Sequence, residues 1–345
     1  MPDPLVIQRR SVVPGSRVTL ELPLAQLYTH TPLTLPVHVV RGRKDGPRLF
    51  VSAAIHGDEL NGVEVIRRLL RHSSIRRLRG TLLAIPIVNV YGVIQHSRYL
   101  PDRRDLNRAF PGLEGGSLAA RLAHLFMSEI VEKCTHGIDL HTGAIHRNNL
   151  PQIRANMEDE TTARLARAFG VPVVINADVR DGSLREAAAE HGVHMLVYEA
   201  GEALRFDELS IRAGVRGIIN VMRELGMLAR RRRPAASEPF VARTSAWVRA
   251  PLSGILRAIV PLGARIKRHD VMGYIADPFG EAEVEVKAPA GGIVIGRTNI
   301  PLVHEGEALF HVARFEDVKG VAQQVESFQT EQTDALFLVG DPPIV

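Results

Sequence analysis

The 345-residue sequence predicts an α/β fold, a mixed sheet flanked by helices, followed by a small all-β domain. Three observations carry this expectation. From about residue 45 to 228, apolar strand-like runs alternate with amphipathic helical ones. After a basic, proline-bearing junction the texture changes to short strands between Gly/Pro turns. That second stretch also repeats itself.

Residues 17–44 read as one or two leading strands, clearest at Val37-His38-Val39-Val40. Strand-like runs follow at 49–55, 81–90, 137–141, 171–175 and 193–199. Between them, 60–71, 117–134, 158–169 and 208–228 place apolar residues three or four apart, as helices do. Asn61 with Glu64 three residues later has the pattern of a helix-starting cap. Strands separated by helices imply a parallel or mixed sheet covered on both faces. We therefore expect a first, α/β domain at 1–233, a linker at 234–240, a β domain at 241–315 and a tail at 316–345.

In the β domain, Val248-Arg249-Ala250-Pro251-Leu252-Ser253-Gly254-Ile255 recurs as Val286-Lys287-Ala288-Pro289-Ala290-Gly291-Gly292-Ile293. The segments 271–276 and 308–313 also correspond. Two similar β units of this size resemble the barrel-sandwich fold of biotinyl and lipoyl carrier domains. A carrier would place a lysine at the hairpin between its halves. That turn reads Asp277-Pro278-Phe279-Gly280, so no attached cofactor is expected.

Composition narrows the class. With 45% hydrophobic and 23% charged residues the chain is an ordinary globular sequence, with no run approaching the roughly eighteen apolar residues of a membrane span. The first residues lack a basic start and an apolar core, so no signal peptide is expected. A lone cysteine, Cys134, excludes an intrachain disulfide framework and reads as a small buried hydrophobe. The cytoplasm is the expected compartment. The run Arg230-Arg231-Arg232-Arg233 reads as a solvated helix end leading into the linker, and neither nucleic acid nor a membrane is expected as partner.

Chemistry concentrates at three points. His56-Gly57-Asp58-Glu59 directly follows the run 49–55, His141 closes the run 137–141, and Glu199 ends 193–199. In open α/β sheets, sites gather at the carboxyl ends of strands, so these groups can converge. A short-spaced His/Glu pair plus a distant His is the ligand set of a catalytic zinc site with one position left open. Asp139 lies two residues before His141 and can face the same side, as an orienting partner of a histidine or in a turn. Between the pair and His141 lies 97–112, a Pro- and Gly-bearing loop with Arg98, Arg103, Arg104 and Arg108 beside Asn107. Either it captures an anionic substrate, or its arginines pair with Asp102 and Asp105 at the surface.

His56-x-x-Glu59, Asp105-Leu106-Asn107-Arg108, Asp139-Leu140-His141 and Glu199 resemble the succinylglutamate desuccinylase/aspartoacylase family over roughly residues 45–225. That family is similar in turn to the zinc carboxypeptidases, which implies a zinc-carboxypeptidase-like sheet, and its aspartoacylase-like members carry a β domain behind the catalytic one. By this resemblance His56, Glu59 and His141 are ligands of one Zn2+ per chain. Glu199 matches the general base, Arg98 (or Arg103 or Arg104) the arginine that polarises the scissile carbonyl, and Asn107-Arg108 the pair holding a substrate carboxylate. Arg154 is a candidate for a further substrate contact.

The implied activity is zinc-dependent hydrolysis of the amide of a small carboxylate-bearing substrate, such as an N-acyl amino acid, by metal-activated water with Glu199 as base. A homo-oligomer is expected on the same ground. The alternatives are a carboxypeptidase-type enzyme acting on a peptide or unusual amide, and a non-catalytic binding protein on this scaffold.

Overall fold

A computed structural model describes residues 5–177, 181–230 and 239–338. The expected linker at 234–240 lies outside the described residues up to position 238, as do Arg231–Arg233 of the basic run. At the centre is a large mixed sheet. The strand Arg48–Ala53 lies between Thr81–Ile85 and His136–Gly143, parallel to both, and His194–Glu202 continues the parallel set beyond His136–Gly143. Arg17–Gln26 and Pro32–Arg41 extend one edge in antiparallel fashion. The near-continuous apolar runs of Arg48–Ala53 and Thr81–Ile85 fit strands buried on both faces. One core layer sets Val65, Ile66 and Leu69 of helix Asn61–Arg71 and Ile211, Ile218 and Met222 of helix Glu208–Glu224 against the sheet. The other face is covered by helices Leu118–Glu129 and Leu184–Glu190.

Several local expectations change. The run expected as a strand over 81–90 stops at Ile85, and Val90 opens a short helix whose first turn is capped by Asn89, its Oδ1 accepting from Gly92 N at 2.8 Å. Asn61 is not a helix cap. Its amide donates to Ala200 O (3.1 Å) and accepts from Asp207 N (2.9 Å), stitching the helix start to the end of His194–Glu202 and to the loop that follows it. Glu64 pairs instead with Arg67 and Arg68 on its own helix. The expected tail at 316–345 is described as far as position 338. It forms the helix Val318–Leu338, with Val321, Val325 and Phe328, four and three residues apart, buried. Among the described residues no helix is long and apolar enough to cross a membrane.

The C-terminal β-rich domain is hydrogen-bonded into the same sheet. Arg147–Ala155 runs antiparallel to His194–Glu202 on one side and pairs with Gly292–Thr298 on the other. Beyond it lie Ala308–Arg314 and Thr244–Arg249. The sequence repeat recurs in the pairing: Ile255 faces Ala276 in the first unit, and Ile293 faces Ala313 in the second. A separate four-stranded sheet contains Gly254–Ala258 and Val271–Ala276.

Candidate active site

The loop after Arg48–Ala53 carries the first two candidates. Ala54 takes a left-handed φ of 51°, turning the chain out of the strand. A Cβ at Gly57 would lie 2.0 Å from the carbonyl carbon of Gly92, so only glycine lets this loop pack on the helix Val90–Ile94. His56 and Glu59 are thereby buried next to His141. A nitrogen from each histidine and a Glu59 oxygen all lie within 4.8 Å of one another.

The contacts define which atoms converge. Glu59 Oε1 is 2.8 Å from His56 Nδ1, and its Oε2 is 2.8 Å from His141 Nδ1 and accepts from Thr142 N at 3.1 Å. The opposite ring nitrogens are held by carboxylates, His56 Nε2 by Asp105 (3.0 Å) and His141 Nε2 by Asp139 (2.8 Å). Asp139 in turn accepts from Ser52 Oγ at 2.7 Å. A carboxylate on one ring nitrogen fixes the tautomer and presents the other to a metal. Two imidazoles and a carboxylate with their outer bonds already made are a donor set that zinc takes, so these residues fit the ion.

Electrostatics follow from burial and pairing. Burial disfavours charge on His56, but Glu59 and the bond to Asp105 outweigh it and raise the pKa above its ordinary value. For His141, burial is outweighed more strongly by Asp139 and Glu59. Burial also opposes the Glu59 carboxylate, yet His56 and His141 hold it well below the usual carboxylate range. Asp105 is lowered too, against its burial, by His56 and Arg98. Isolated, these buried charges would each cost several kcal/mol, about what a mutually paired network offsets.

Arg98 meets the triad directly, donating to Glu59 Oε1 (3.3 Å) and Asp105 Oδ2 (3.0 Å). Arg104 is exposed beside Asp102 (3.9 Å), and neither it nor Arg103 reaches the cavity. Asn107 and Arg108, on the short turn Leu106–Arg108, line the opening. Asn107 Oδ1 accepts from Leu184 N at 2.9 Å, and Arg108 bonds the Asn107 carbonyl. Glu199 sits beside His141, its partner in the parallel register. It is gripped from the neighbouring strand by Asn149 Nδ2 (2.8 Å) and Arg154 Nε (2.8 Å). Arg154 thus contacts the expected base. His146 does not line the cavity, and burial pushes the Cys134 thiol up to about 12.

His56, Glu59 and His141 share with Arg98, Arg108 and Glu199 a cavity of about 470 Å3. Part of its wall comes from the C-terminal β domain, through Trp247 and His311, two residues that sequence reasoning did not single out. Trp247 and His311 stack with ring centroids 4.7 Å apart, and the Arg147 guanidinium lies 5.3 Å from the Trp247 ring. Asp105 as partner of His56, and Asn149 as partner of Glu199, were also missed. Asp105 had a signal, standing two residues before Asn107. Asn149 had none, because its contact depends on strand pairing.

Residues 45–225, just over half of the chain, match the profile of the succinylglutamate desuccinylase/aspartoacylase catalytic domain. The N-alpha-acetyl-L-2,4-diaminobutyric acid deacetylase of Halomonas elongata is 26% identical over 293 residues, covering 81% of this chain and 85% of that protein. A succinylglutamate desuccinylase/aspartoacylase structure from Rhodobacter sphaeroides has a TM-score of 0.76 at 24% identity, over 87% of this chain and 95% of that one. The product-bound ectoine utilization protein EutE (DoeB) from Ruegeria pomeroyi gives 0.77 at 22%, over 86% and 94%. The chain belongs to the succinylglutamate desuccinylase/aspartoacylase family.

Proposed function

We propose that this protein is a zinc-dependent deacylase that hydrolyses the amide of a small, carboxylate-bearing N-acyl compound. One observation carries the proposal: the His56, Glu59 and His141 donor atoms converge, buried, at the wall of a cavity that also holds Glu199 and Arg98. These three side chains would hold one zinc ion per chain, which would supply Lewis acidity toward the carbonyl and acidify the water that attacks it. Glu199 takes the proton of the attacking water and returns it to the departing amine, a role worth roughly a hundred- to ten-thousand-fold. Asn149 and Arg154 hold Glu199 in place for it. Arg98 stabilises the oxyanion that develops on the carbonyl. Arg108, with Asn107, fixes the substrate carboxylate so that the amide lies against the triad.

We read the C-terminal β domain as a barrel-sandwich module that narrows the cavity through Trp247 and His311. The Halomonas elongata relative acts on N-alpha-acetyl-L-2,4-diaminobutyric acid, which makes that compound the first substrate to try. We further take the protein to be a cytoplasmic homo-oligomer with the domain boundaries expected from the sequence.

The test is release of free amine from a panel of N-acyl amino acids, including N-acetyl-2,4-diaminobutyrate, before and after chelation. Turnover of a panel member, lost with the chelator and restored by zinc, is expected. Turnover that survives complete metal removal contradicts the mechanism. Turnover of peptides alone moves the assignment to a carboxypeptidase.

A further inference from the structure

We propose that a second cavity, at the amino-terminal end of the sheet, binds a small polyphosphate anion. Lys44 and Arg79 of its lining stand just before the strands Arg48–Ala53 and Thr81–Ile85, whereas the catalytic groups gather at the carboxyl ends of the parallel strands. Its volume is about 770 Å3, within the roughly 300–1,000 Å3 of ordinary ligand sites.

The lining has one sign of charge. Arg17, Arg41, Arg43 and Lys44 come from one wall and Arg76, Arg77 and Arg79 from another, seven of seventeen lining residues. None is Asp or Glu. The whole chain carries 43 Lys and Arg against 38 Asp and Glu, so a solvated face typical of this sequence would show the two signs almost equally. Among the described residues, Arg43, Lys44, Arg76, Arg77 and Arg79 make no ion pair with a carboxylate. Like charges gathered in a concavity repel one another, and a multivalent anion turns that repulsion into attraction.

The frame is also fixed. Gly15 N–H donates to Arg41 O and Arg41 N–H to Ser16 O, both at 2.9 Å. Gly42 donates to Gly80 O and Gly80 to Lys44 O, both at 2.8 Å, and Arg79 donates to Met227 O at 2.9 Å. A Cβ at Gly42 would lie 2.2 Å from Leu78 O, so the two basic walls meet more closely than any side chain allows. Four separate segments are thus stitched by backbone bonds, and the cations stand on a preorganised base. Six of the seven are arginines, whose planar forks match phosphate oxygens bidentately. No aromatic side chain lines the cavity to stack on a base, so the phosphate chain itself is the recognised element.

The experiment is titration calorimetry of the full-length chain with inorganic tripolyphosphate at low ionic strength, with ATP as a second probe. R76Q/R77Q/R79Q changes three exposed side chains, and an unchanged thermal midpoint shows that it folds; the single variants R77Q and R79Q stand behind it. R108Q alters the catalytic cavity and serves as the control. We expect one tripolyphosphate per chain, weakened by salt, at least tenfold weaker in the triple variant and unchanged in R108Q. Equal affinity for ATP identifies a free phosphate chain as the ligand, and tighter ATP binding identifies a nucleotide. No binding overturns the proposal, as does equal affinity in the triple variant or loss in R108Q. Binding of a short oligonucleotide but not of tripolyphosphate overturns it too.

Discussion

Gly296 belongs to the C-terminal β domain, yet replacing it with alanine is expected to slow the reaction. A Cβ there would lie 2.9 Å from Asn149 Oδ1 and 3.2 Å from His311 Cβ. The first distance is too short to keep, and the movable party is the Asn149 amide. Once displaced, that amide loses its 2.8 Å bond to Glu199 Oε2. A hydrogen bond to a charged group is worth about 1.5–3 kcal/mol. If Glu199 needs that bond to aim at the water, kcat falls roughly 10- to 100-fold, since 1.4 kcal/mol is tenfold. Zinc content is unaffected, because neither residue touches the triad. The assay is steady-state turnover of Gly296→Ala, Asn149→Ala and the double variant, with metal content measured in each. In the Asn149→Ala background the glycine substitution should cost little more, because the two act through one contact. Wild-type kcat in Gly296→Ala would refute the reasoning, and so would an equal further loss in the double variant.

Other expectations follow from the same geometry. Glu199→Gln should retain zinc and lose about a hundred- to ten-thousand-fold in kcat, read from metal analysis beside turnover. Asp139→Asn removes the charge behind His141 Nε2 and should weaken zinc affinity about 10- to 100-fold in a chelator competition. Arg108→Lys keeps a charge but loses the planar fork, so KM should rise most for substrates with a free carboxylate. Stability of the metal-free chain should depend on pH with a definite sign. The pKa values of His56 and His141 are raised above 6.5, so their stabilisation is complete below that value and is lost as pH rises through the folded pKa. Glu59 is lowered from 4.5, so its contribution is present above that and lost only toward acid. The metal-free thermal midpoint should therefore fall as pH rises above 6.5, while the increment from added zinc grows, since the ligands must deprotonate to bind. A metal-free midpoint that climbs over that range contradicts the assignment.

The cluster of His56, Glu59 and His141 was legible because its signals are local. His56 and Glu59 are three residues apart, and His141 and Glu199 each stand at the end of an apolar run, where a parallel sheet delivers its functional groups. The strand Arg147–Ala155 was not legible, since Asn149, Gln152 and Arg154 interrupt any apolar alternation and Pro151 stands in its middle. Asn149 and Arg154 are polar because they face Glu199. Pro151 is tolerated where the pairing with His194–Glu202 slips between Glu199 and Gly201. Trp247 and His311 escaped notice because their approach to the site depends on how one domain docks on another, which no local pattern encodes. Asn61 misled for a related reason: its amide satisfies a distant loop instead of its own helix. In the helix Val318–Leu338 polar residues separate Val321, Val325 and Phe328, and that stripe reads clearly only beside the surface that covers it.

The central claim is that His56, Glu59 and His141 hold a catalytic zinc. Its most direct test is the zinc-to-protein ratio of the purified chain and of Glu59→Gln, each after metal removal and reconstitution. About one zinc per chain in the wild type, with none retained by Glu59→Gln, is the predicted result. A wild-type chain that takes up no zinc, or a variant that binds it as tightly, would contradict the account.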